Sequence, residues 1–266
     1  MKTKFALALL LVIVLLVTPQ AYAGYFGAPE PLAKDRSVSL GVGYSYLSDK
    51  VKFENSQNIF MQKYNFIQNQ YYVQLSAAYG NVEGYLRIGA ADMRFQELFT
   101  TSFPGFTYAG YASDFKDDSQ RAFATGGGKY KLEINQYFSI GPNVQFSIFD
   151  EYEDKTTGTV NGSQTTQIVK IKGYYRFDAA ALLQVNLKPV LLYAGPFLYA
   201  VRGRLESTPL APPLSAGPGL GDKMTESGNF GGIGGLRINL SKGLILELEA
   251  QYTERLSAGG LISYSF

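Results

Sequence analysis

Nine charged residues stand where their placement could do chemistry. Arg87, Lys129, Lys131, Glu133, Arg176, Asp178, Arg237, Glu247 and Glu249 all fall at the polar positions of segments that alternate apolar with polar. If those segments are strands, one face of each is polar and the charges converge on a shared interior. Charges there either pair across a filled core, which satisfies groups that water does not reach, or line a narrow passage and stay hydrated. Tyr72, Tyr85 and Tyr174 share these faces and would constrict any passage.

Other chemistries find little support. The 266 residues include no His and no Cys, so there is no imidazole base or ligand, no thiolate metal site and no disulfide. Gly126-Gly127-Gly128 and Gly231-Gly232-x-Gly234-Gly235 lack the strand–loop–helix context and the Lys-Ser/Thr of a phosphate-binding loop. In strands, such glycines admit bends or close packing against a bulky interior neighbour. Two acidic groups, Asp114, Asp117 and Asp118, and Asp150, Glu151, Glu153 and Asp154, could meet a hard divalent cation. Without a spacing motif they read as solvated loop acids, or as a charged rim that meets an anionic surface through bridging cations. No catalytic, cofactor or metal residues are assigned, and the expectation is a protein that is not an enzyme.

The positioning elements are strands. Val38, Leu40, Val42, Tyr44 and Tyr46 alternate with Ser39, Gly41, Gly43 and Ser45, and Tyr71, Val73, Leu75, Ala77 and Tyr79 alternate with Tyr72, Gln74, Ser76 and Ala78. Gly80-Asn81 reads as a two-residue hairpin turn. That register sets Leu75 opposite Leu86 on one face and Gln74 opposite Arg87 on the other. Ser241-Lys242-Gly243 fits a three-residue loop that sets Leu236 opposite Leu248 and Arg237 opposite Glu247. A slip of one residue would scramble both faces. Two further hairpins turn through residues 136–142 and at Lys188-Pro189, and Pro196 argues for a bulge in the returning strand. The pattern predicts ten strands, near 37–48, 66–79, 82–95, 122–135, 143–152, 168–186, 190–202, 230–240, 244–253 and 256–266. Eight or twelve stay open because long loops can hide hairpins.

Residues 49–65, 96–121, 153–166 and 204–229 read as long polar loops. The second is aromatic through Phe99, Phe103, Phe106, Tyr108, Tyr111 and Phe115, as either an adhesive surface or a girdle. Short turns alternating with long loops is the asymmetry of an outer-membrane barrel.

The chain ends define export. Lys2 and Lys4 precede an apolar run over residues 5–17, and Ala21-Tyr22-Ala23 is a small-x-small cleavage box. Residues 1–23 therefore read as a signal peptide, with a single domain over 24–266. Without Lys2 and Lys4, the 24 basic residues fall to 22 against 22 acidic, so no basic excess points to nucleic acid. The last segment places Leu256, Ala258, Gly260, Ile262, Tyr264 and Phe266 on one face.

A terminal Phe with Tyr two residues before it resembles the assembly signal of bacterial outer-membrane proteins, which implies recognition of Tyr264 and Phe266 by the barrel-assembly machinery. The mature chain resembles the small outer-membrane barrels of the opacity, OmpX-like and OmpW-like class. The expected fold is an all-β, transmembrane, antiparallel up-and-down barrel. An even strand number leaves both termini periplasmic, with outer-membrane lipid and lipopolysaccharide around the barrel. The expected function is a narrow porin-like channel for small solutes of unspecified identity. The alternative is a closed structural or surface-interaction barrel that binds through its loops.

Overall fold

The computed structural model describes residues 26–33, 35–54, 62–96, 115–160, 163–211, 223–241 and 243–266. The expected signal peptide with Ala21 and Ala23, residues 97–114 of the aromatic loop and Asp114 lie outside the described residues. The strands are β1 (Ser37–Glu54), β2 (Gln62–Tyr79), β3 (Val82–Gln96), β4 (Phe115–Tyr130), β5 (Leu132–Glu133), β6 (Phe138–Phe149), β7 (Tyr152–Val160), β8 (Ser163–Leu187), β9 (Val190–Ala211), β10 (Lys223–Glu226), β11 (Phe230–Asn239), β12 (Leu244–Tyr252) and β13 (Leu256–Ser265).

Ten of these close into a barrel in the order β1-β2-β3-β4-β6-β8-β9-β11-β12-β13 and back to β1, every pair antiparallel. Chain neighbours are sheet neighbours, the up-and-down topology that alternation implies. Gly80 opens the β2–β3 turn at φ 57°, and Leu75 faces Leu86 while Gln74 faces Arg87. Gly243, at φ 84°, closes the β11–β12 loop, and Leu236 faces Leu248 while Arg237 faces Glu247.

The apolar face points outward. Leu40, Val73, Leu86, Ile148 and Ile262 are exposed, Ile88 by 61%, while Ser39, Gln74, Arg87 and Ser263 are buried within. Such an inverted distribution suits hydrocarbon, and closing the sheet leaves no unpaired edge in it.

Several expectations need correction. The β5–β6 turn spans residues 134–137, and Pro142 lies inside β6, where its partner is Ala181. Pro196 causes no bulge. The β8–β9 ladder omits Ala181 and Leu182 and resumes unchanged from Leu183 opposite Ala194. The ladder shifts instead between Thr166 and Gln167 and between Lys172 and Tyr175, the latter at Gly173, φ 59°, because only glycine takes that backbone conformation cheaply.

The segments 153–166 and 204–229 also carry more strand than their composition predicts. The strands β6 and β11–β13 are short, and β7 and β10 cover the gaps above them. The first pairs with β8 and receives Lys116 N–H at Asp154 (2.6 Å), while Glu153 N–H donates to Asp117 (2.8 Å). The second pairs with both β9 and β1. The wall thus continues beyond the apolar belt at the loop end.

Candidate functional site

The lumen is filled at three levels. At the turn end, residues 26–33 run inside the barrel as a strap that joins no strand. An extended segment without a ladder must satisfy its backbone elsewhere. Here side chains of the wall accept all of its amide protons. Glu249 accepts from Phe26 and Gly27 (2.8 Å each), Glu247 from Ala28 (3.2 Å), Gln184 from Glu30 (2.9 Å), and Glu83 from Leu32 and from Ala33 (3.3 Å). Pro29 and Pro31 have no proton to donate. In return, Asn143 Nδ2 donates to Gly27 O (2.9 Å), and the Arg237 guanidinium donates to the carbonyls of Glu30 (2.7 Å) and Pro31 (3.1 Å).

The predicted lumen charges divide between two tasks. Arg237, Glu247 and Glu249 hold the strap, with Arg237 Nε 2.7 Å from Glu247 and the Tyr193 hydroxyl donating to Glu249 at 2.9 Å. Lys129 pairs with Glu83 at 3.2 Å. Lys131 stands at the mouth, between Glu30 (3.3 Å) and Glu133 (2.7 Å). Glu133 shares that face of the strand, but it lies past the lumen on β5 and is 61% exposed. The hydrogen bond from Lys131 holds its carboxyl below the usual range.

At mid-height the charges bridge the lumen. Arg87 donates to Gln74 (2.7 Å) and Gln145 (3.1 Å), Gln145 donates to Asp178 (3.2 Å), and Asp178 accepts from Arg176 (2.7 Å). Arg176 reaches Asp49 at 3.9 Å, from β8 to the non-adjacent β1. Asp49 also accepts from Tyr199 (3.1 Å) and Thr253 (2.9 Å). The Arg87 guanidinium lies over the rings of Tyr72 and Tyr85, and that of Arg176 over Tyr199. Gly127 makes room for Tyr85: a Cβ there would stand 2.3 Å from the ring.

The loop-end level is apolar. Phe66, Phe95, Phe115, Phe149, Tyr152 and Tyr174 pack ring on ring at centroid distances from 4.6 to 6.5 Å. Leu47, Val51, Met93, Ile171, Leu205 and Met224 fill the space between them. Phe115, one of the aromatic loop residues, is thus an interior residue. Most of the loop-end acids singled out in the sequence are ion-paired, Asp117 with Arg121, Asp118 with Arg94 and Lys116, and Glu151 and Glu153 with Lys170, while Asp150 and Asp154 accept the backbone N–H groups of Glu151 and Lys116.

Sequence reasoning missed the strap and three of its holders, Glu83, Asn143 and Gln184. Backbone donors have no residue type, so a segment that needs acceptors leaves no motif. The available signal was indirect: several interior carboxylates and amides at the turn end, and two prolines in a segment just before β1.

Wall and strap together define the class: a ten-stranded barrel, apolar outside, whose lumen is occupied by the chain's own N-terminal segment. No protein-family model matches the chain, and no curated protein matches it in sequence. Among solved structures it is similar to the translocator domain of the autotransporter NalP from Neisseria meningitidis, at 12% identity and TM-score 0.48 over 88% of this chain and 90% of that one. It is also similar to the toluene transporter TbuX from Ralstonia pickettii, at 10% identity and TM-score 0.42 over 93% and 95%. The transport unit of the autotransporter AIDA-I from Escherichia coli follows, at 12% identity and TM-score 0.38 over 88% and 91%. None of these three reaches a TM-score of 0.5, and the fold rests on the strand pairing itself.

Proposed function

We propose that this chain is a bacterial outer-membrane barrel of the small opacity/OmpX/OmpW-like kind that works as a gated, narrow conduit for small solutes. The turn end and both termini face the periplasm, and the long strands and loops face outward. The observation that carries the reading is the strap. Six amide protons held by wall side chains make an insert that can leave without breaking a single strand ladder. The Oδ1 of Asn143 beside the strap, and the hydroxyls of Tyr72 and Tyr174 above it, have no hydrogen-bond partner among the described residues. Interior polar atoms of that kind are where water would sit along a path.

A second reading has its own support. The Arg176–Asp49 bridge and the aromatic cluster fill the lumen independently of the strap. A barrel that stays closed would act through its loops. With no His for the catalysis familiar in enzyme barrels, no enzymatic role is proposed. Planar-bilayer recording separates the two readings. The mature protein is expected to conduct rarely and weakly, and deletion of residues 26–33 to raise open probability, with modest ion selectivity because both signs line the wall. Silence from both forms would favour the closed barrel.

A further inference from the structure

Above the outward apolar belt, one sector of the wall carries a row of cations. Val169 and Ile171 of β8 are fully buried inside, so Lys170 and Lys172 point outward. Past the Gly173 bulge, Tyr174 and Arg176 are inside and Tyr175 and Phe177 outside. On β9, Val201 and Leu205 are buried and Gly203 backs onto Met224 and Tyr174, so Arg202 and Arg204 point outward. On β10, Met224 is buried and Lys223 points outward. The ladders set Lys172 opposite Arg204, and Arg204 opposite Lys223.

Neighbouring strands lie about 4.8 Å apart, so three cations share a row roughly 10 Å wide. Like charges directly opposite one another repel, and such a row needs an anion. Nearby acids answer only part of that need. Glu206 meets Lys172 at 2.7 Å, Glu151 stands 3.8 Å from it, and Glu226 meets Arg202 at 3.2 Å. Arg204 and Lys223 make no ion pair among the described residues; Glu54 lies opposite Lys223 in register. Just below the row, Tyr175, Phe177, Leu198 and Phe230 are exposed on the outer face.

We infer that Lys172, Arg204 and Lys223 form a site for the phosphate groups of an anionic outer-leaflet lipid, a phosphorylated lipid A headgroup, whose acyl chains lie on the apolar surface beneath. A guanidinium suits bidentate phosphate recognition, and flanking ammonium groups add charge without demanding geometry. The site rests on the outer-membrane reading above, because its ligand belongs to that leaflet.

The test uses the folded mature barrel in non-ionic detergent, titrated with diphosphoryl lipid A and followed by native mass spectrometry. Three exposed cation–phosphate contacts at the strength of exposed ion pairs amount to about a tenfold loss of affinity in the triple variant K172Q/R204Q/K223Q. The variant K155Q, elsewhere at the loop end, should bind as wild type does. Equal affinity in the triple variant, equal binding of dephosphorylated lipid A, or competition by equimolar inorganic phosphate would overturn the site. Insertion of wild type and triple variant into phosphatidylcholine vesicles is measured alongside. Failure of wild type to insert overturns the membrane reading and the site with it. Insertion of both with equal lipid A affinity overturns the site alone.

Discussion

At the scale of single residues, the interior is organised by what buried charges must satisfy. Arg237 is 2% exposed, and three of its N–H groups serve one carboxylate and two strap carbonyls. Removing one member of a buried pair strands the other, at a cost of about 3–5 kcal/mol. R237A is therefore expected to lower unfolding free energy by that order in urea titration of the folded barrel. Glycine gives a sharper contrast. A Cβ on Gly127 would meet the Tyr85 ring, whereas one on outward-facing Gly126 meets nothing within 4 Å. G127A should cost about 1–3 kcal/mol by overpacking, and G126A should stay within about 0.5 kcal/mol. Equal effects of the two would contradict the assignment of their faces. The Arg237–Glu247 pair was legible in the sequence because a three-residue loop fixes its register. The service of Arg237 to the carbonyls of Glu30 and Pro31 was not, because carbonyls carry no sequence signal.

At the scale of elements, the ten wall strands were readable wherever lipid meets one face, since that demand imposes strict alternation. Legibility failed where both faces leave the membrane. In β7 and the start of β8, Thr, Gln and Lys obey no such pattern, so strand extensions read as loops. The bulge was misplaced for a related reason: proline advertises a missing donor, but a gap in the β8–β9 ladder opposite Ala181 and Leu182 absorbed it at Pro196, while Gly173 carried the irregular backbone. The loop end has its own fastening. Glu254, in the turn between β12 and β13, accepts from Lys63 (2.7 Å) and Ser227 (2.6 Å) and lies 3.4 Å from Lys50. These hydrogen bonds, that of Lys63 foremost, hold its carboxyl at about 2. A depressed carboxylate stabilises the fold above its unfolded pKa near 4.5 and loses that contribution as pH falls towards 2. Protection factors at the loop end, that is, exchange rates taken relative to the intrinsic rate at each pH, should therefore fall between pH 4.5 and 2.5 in wild type. In E254Q protection should be lower already at pH 6 and show less of that acid dependence. At the other end, Tyr264 and Phe266 stack edge to face on the outer surface, 5.1 Å between centroids. Deleting Phe266 is expected to reduce outer-membrane levels more than synthesis, compared in cells with and without periplasmic proteases.

At the scale of the whole molecule, the architecture is a lipid-facing cylinder whose inside is built as a core. Ten strands enclose enough width for an interior segment as well as side chains. Polar atoms at mid-height and rings at the loop end meet across that width from non-adjacent strands, as Arg176 does with Asp49 and Phe66 with Tyr174. Such ties stiffen the wall, and the strap then decides whether the turn end is open. The central claim is that residues 26–33 rest inside the lumen with every amide proton bonded to the wall. Amide hydrogen exchange of the folded mature protein, read on the peptide covering those residues, tests it without any substitution. Buried, bonded amides exchange only through opening. The account predicts protection lasting minutes to hours, of the order seen for adjacent wall strands. Complete exchange within seconds, at the rate of an unstructured peptide, would contradict it.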